Sequence, residues 1–152
     1  MDRAYSILQI KSVNASQRII EGIATSPETD RMGVAHHSSY LLWFELARTG
    51  LLREAGHAYR DLEANGIRLP VLEYGCKFLK SADYDDTLRI ETRIKDLRSR
   101  TVIFLYTVFR GDELLAEGFT YHVCVDDKFK TRRFPEDVVK AMETYDAGQA
   151  ST

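Results

Sequence analysis

The segment Thr29-Asp30-Arg31-Met32-Gly33-Val34-Ala35-His36-His37-Ser38-Ser39-Tyr40 sets a carboxylate a few residues ahead of a strongly apolar run, Leu41-Leu42-Trp43-Phe44. Ser38 or Ser39 can cap a helix, so a helix is predicted to begin there. The first turn of a helix carries backbone N–H groups without intrahelical partners and the positive end of the helix dipole. Such groups polarise a carbonyl oxygen, and one well-aimed donor contributes about 2.7–4 kcal/mol in the transition state. Asp30 can attack the polarised carbon directly, or position and deprotonate a water. Gly33 lets the loop fold back so that carboxylate and helix start meet at one atom. A thioester suits this arrangement, because a thiolate leaves with little acid assistance.

Other residues invite plainer readings. Glu28 is an alternative carboxylate, more simply a loop residue. His36 and His37 adjoin, but no third ligand stands at a useful spacing, and His57 and His122 belong to separate elements, so no metal site is expected. Glu45 and Arg48 are three apart on one helix, which predicts a surface ion pair.

The elements that must position these groups follow from periodicity. A strand is predicted over about Gln17 to Thr25, ended by Ser26-Pro27. The helix runs from about Ser38 to Ala55, stopped by Gly56. It is apolar over most of its circumference, which predicts burial nearly all round. A shorter helix is expected from Ala58 to Ala64, and a strand over Leu69 to Leu79. Leu88, Ile90, Thr92 and Ile94 alternate with charged residues, marking a half-buried strand. Thr101 to Phe109 is apolar on both faces and reads as a central strand covered twice. Gly111-Asp112 turns into a last strand, about Leu114 to Val125, and Pro135 starts a helix to about Thr144. This is an α+β chain in which one helix covers one face of an antiparallel sheet. The other face needs a cover, most simply a second copy of the chain, so a homodimer or homotetramer is expected.

The chain has 152 residues and a formal net charge of −2. That length suits a single domain, with a core from about 17 to 144. The charge gives no pull toward nucleic acid or an anionic membrane. No stretch approaches the ~18 apolar residues of a spanning helix. Cys76 and Cys124 form no CxxC pair and read as reduced core thiols, so the expected compartment is a reducing cytoplasm.

The motif from Asp30 onward resembles that of the 4-hydroxybenzoyl-CoA thioesterase family of hotdog-fold enzymes, and looks closest to the branch of the Tol–Pal-cluster short-chain acyl-CoA thioesterase. The matching residues are Asp30, Gly33, Val34, His37, Tyr40, Phe44, Glu45 and Arg48. Weaker matches follow in order at Leu69-Pro70-Val71, Ala82 to Asp86 and Leu114 to Gly118, so the resemblance spans about Gln17 to Met142. It departs at Ser39, where Asn is common, and it carries His37 where the benzoyl branch has Tyr. The resemblance implies a hotdog fold, a long helix wrapped by a curved antiparallel sheet of about five strands. It implies that Asp30 is nucleophile or general base and that the backbone N–H of His37 binds the thioester oxygen. It places substrate contacts at Gly33, Val34 and Tyr40, with the active site at a dimer interface. Arg98 and Arg100, with Lys80 and Lys95 nearby, are candidates for the CoA phosphates. The later basic run Lys128, Lys130, Arg132 and Arg133 is a weaker one. No metal or redox cofactor is implied, and CoA enters only as part of the substrate. Rival readings are a thioesterase acting on acyl carrier protein, a non-catalytic acyl-binding module and a hotdog dehydratase.

Overall fold

Alternation of apolar and polar residues builds the centre of the molecule. In the computed structural model, residues 9–14, 17–23, 37–82 and 87–150 are described, with side chains over 39–82 and 87–145. Strand β4 (Thr87–Leu97) buries Leu88, Ile90, Thr92 and Ile94. Strand β5 (Thr101–Arg110) buries Val102, Phe104, Tyr106 and Val108. Strand β6 (Glu113–Val123) buries Leu115, Ala116, Thr120 and His122. Their register stacks these residues on one face: Ile94 lies opposite Phe104, and Phe104 opposite Thr120.

The remaining strands are β1 (Gln9–Asn14), β2 (Gln17–Ile23) and β3 (Val71–Phe78). Every pairing is antiparallel, and the order across the sheet is β1-β2-β4-β5-β6-β3. Among the described residues the sheet has six strands, one more than the expected five or so. The additional one, β1, stands at the edge of the described sheet beside β2, and Gln-Ile-Lys-Ser-Val-Asn carries no clean two-residue alternation to announce it.

Helix α1 (His37–Glu54) lies on the buried face of the sheet. Tyr40, Trp43, Phe44, Ala47 and Leu51 recur at helical spacing and enter the core. The Phe44 ring stacks on Tyr106 at 4.3 Å and 10°. Beneath it is Gly118, where a β-carbon would come within 2.5 Å of that ring and 2.9 Å of the Gly75 carbonyl oxygen. Glycine is needed there for close approach. The helix is not buried all round, however: Leu42 is 57% and Leu46 39% exposed. An apolar circumference does not tell a core face from an exposed one. The same is true of β5, whose Ile103, Leu105 and Phe109 stay half-buried on the face away from α1.

Two shorter helices close the ends. Helix α2 (Tyr59–Ala64) contributes Leu62 to the core. Helix α3 (Glu136–Ala150) follows Pro135 and contributes Val138 and Met142.

Candidate functional site

Helix α1 begins at His37, within one residue of the predicted start, and no acidic side chain stands in its first turn to compete for the free amides. Asp30, Gly33, Val34 and His36 lie outside the described residues, as does the side chain of His37. Tyr40, one turn further on, is only 2% exposed. Its ring sits 4.7 Å from Trp43 and edge-on to Phe78 at 4.9 Å and 87°. Tyr40 therefore ties the first turn of α1 to the end of β3.

Between those two elements is a cavity of about 470 Å³. Tyr40, Leu41 and Phe44 line it from α1, and Tyr74, Cys76 and Phe78 from β3; among the described residues none that lines it carries a charge. That size and character fit a small-molecule site. Burial pushes the Cys76 thiol up to about 11, so it is a neutral wall group at pH 7.

Behind the cavity runs a buried polar chain. The Leu69 carbonyl can only accept, so His122 Nδ1, 3.0 Å away, donates to it. Burial, and then the charge of Arg48, push the His122 imidazole down to about 4, leaving it neutral with one N–H. Its Nε2 must then accept from the Thr120 hydroxyl at 2.8 Å. Thr120 Oγ1 in turn accepts from the Tyr106 hydroxyl at 2.6 Å, and Tyr106 accepts from Arg48 Nη1 at 3.3 Å. Every donor in this chain has one direction. The Leu69 N–H donates to Tyr59 at 3.1 Å, so the backbone of Leu69 is held at both its N–H and its carbonyl just before β3. Arg48 thus turns inward to Tyr106, and among the described residues it forms no ion pair with Glu45.

Arg98 and Arg100 lie in the β4–β5 turn. Arg98 pairs with Asp96 at 3.0 Å. The first turns of α1 sit level with Phe78, Ala116 and Val108, whereas Arg100 adjoins Thr101 at the other end of β5. Seven residues of strand separate the two levels, about 23 Å. The chain does not bring these arginines to its own helix start. It does bring the backbone at Arg100 to the later basic run: Cys124 N donates to the Arg100 carbonyl at 2.8 Å, and Arg132 N to the Cys124 carbonyl at 2.9 Å.

Sequence reasoning missed the chain from Arg48 to His122 and the strand wall of the cavity. One signal was present: Thr120 and His122 are polar residues two apart on the face that β6 otherwise buries.

Comparison with known proteins adds independent findings. The family model described as the thioesterase-like superfamily matches residues 25–142. The acyl-CoA thioester hydrolase YbgC of Escherichia coli O6:H1 is 32% identical over 114 residues, covering 74% of this chain and 85% of that protein. The structure of protein TT1821 from Thermus thermophilus superposes with a TM-score of 0.81 at 38% identity, covering 84% of this chain and 98% of the other. That of DHNA-CoA thioesterase from Staphylococcus aureus gives 0.82 at 30% identity, covering 89% and 94%.

Proposed function

The chain belongs to the thioesterase-like superfamily and is a hotdog-fold thioester hydrolase, and on that premise we propose that it cleaves acyl-CoA esters to the free acid and CoA, with Asp30 as nucleophile or general base and the His37 backbone N–H as oxyanion donor. The observation that carries this reading is the start of α1 at His37, seven residues after Asp30, one turn from a cavity walled by aromatic side chains. The amide polarises the thioester carbonyl, Asp30 delivers the attack, and the acyl group is drawn out of water. Gly33 and Val34 shape the loop beside the carbonyl, and Tyr40 fixes the helix turn below it. No metal or redox cofactor has a part in this chemistry. The free thiols of Cys76 and Cys124 suit a reducing cytoplasm. The test is thiol release from short, long and aromatic acyl-CoAs, beside the same acyl groups on acyl carrier protein. Turnover of at least one CoA series is expected; faster turnover on the carrier protein would replace CoA as the substrate, and no release from any thioester would end the reading.

The working unit in this proposal is a homodimer joined along β3, or a tetramer built from it. Strand β3 ends the sheet among the described residues, with no described strand along one of its edges. Leu72 on that strand is 58% exposed, and Leu42 and Leu46 of α1 add apolar surface. A two-fold axis would pair β3 with its own copy and cover these groups. Arg98 and Arg100 then meet CoA phosphates only across a subunit boundary. Light scattering should give two or four times the chain mass, and Leu72→Asp should shift it toward one. A wild-type monomer at micromolar concentration would exclude this assembly.

A further inference from the structure

The cavity beside α1 restricts how far its occupant can extend. Among the described residues its walls are aromatic, aliphatic or neutral. Its depth is set on the strand side. Cys76 lies between Tyr74 and Phe78 on the alternation that faces the helix, directly opposite Gly118. At Gly118 the Phe44 ring already rests against the strand, so the helix side cannot give way. The small side chain at position 76 is what leaves the space open.

Resting on the acyl-CoA reading above, we propose that this cavity holds the acyl group and that Cys76 sets how far it extends. Cys76 is a specificity residue and takes no part in bond making. Its thiol is held neutral by burial and meets the acyl group as an apolar surface.

The experiment compares kcat/KM over a series of straight-chain acyl-CoAs for the wild-type protein, Cys76→Leu and Cys76→Ala. Added carbon at position 76 should lower kcat/KM for the longest good substrate by about 10-fold or more, with the shortest substrate changed by less than about 2-fold. Cys76→Ala should move the preference toward longer chains, and it keeps the test alive if the leucine variant does not fold. An unchanged length profile in both variants overturns the inference while leaving hydrolysis intact. A wild-type protein that hydrolyses no thioester removes the underlying reading instead, and the inference with it.

Discussion

Asp30→Asn is expected to lower kcat by about 10²–10⁴-fold, with acyl-CoA affinity changed by no more than a few-fold. Asparagine keeps the size and shape of the side chain but has no negative charge. It cannot accept a proton from water and is not a nucleophile toward a thioester. The loss should therefore fall on kcat, since substrate binding rests on the cavity and on the CoA contacts. Glu28→Gln is the control, and it should keep near wild-type turnover. Retained activity in Asp30→Asn with loss in Glu28→Gln would transfer the role to Glu28. The two routes open to Asp30 also separate experimentally. Direct attack forms an acyl anhydride on the carboxylate and expels the CoA thiolate; water then opens the anhydride. In single turnover in labelled water, attack of that water on the aspartyl carbon leaves label in Asp30. General-base activation of water places label only in the released acid.

The second large effect is on stability and depends on His122. Its imidazole is pushed from 6.5 to about 4 by burial first and the Arg48 charge second, against the raising effect of the Leu69 carbonyl hydrogen bond. Between pH 4 and 6.5 the unfolded chain therefore binds a proton that the folded one refuses. The stabilisation is complete above pH 6.5, is lost as pH falls toward 4, and changes no further below that. The gap corresponds to about 3 kcal/mol at roughly 1.4 kcal/mol per pH unit. Protonation would also place a hydrogen on Nε2, where the ring now accepts from Thr120, and so reverse the polarity of the buried chain. His122→Gln can still donate to Leu69 and accept from Thr120 but does not titrate. Its melting temperature should fall less steeply than that of the wild type between pH 6.5 and 4. Parallel curves would show that the buried imidazole is not the group responsible.

The sequence made some parts of this molecule readable and hid others for identifiable reasons. Strand β4 was legible because Leu88, Ile90, Thr92 and Ile94 face one side and charged residues the other. The start of α1 was legible because an apolar run follows capping residues, and it falls at His37 against an expected Ser38. The end of α3 was not: a helix to about Thr144 was expected and it reaches Ala150, because small and polar residues signal fraying as readily as a last turn. At the candidate site the motif pointed to Asp30 and His37, yet Arg48 was assigned to Glu45 by helical spacing alone. Its actual partner, Tyr106, is 58 residues away and is brought near by strand register, which no local pattern encodes. Cys76 was recognised as an unpaired thiol, but its place in a cavity wall depends on β3 lying beside α1.

With the Phe44 ring seated on bare backbone at Gly118, the spacing between rod and sheet is already at its minimum. Selection for a different acid product in this lineage could not proceed by adjusting that gap. It would have to act on the outermost strand, one side chain at a time, with the middle of the sheet left as a fixed frame.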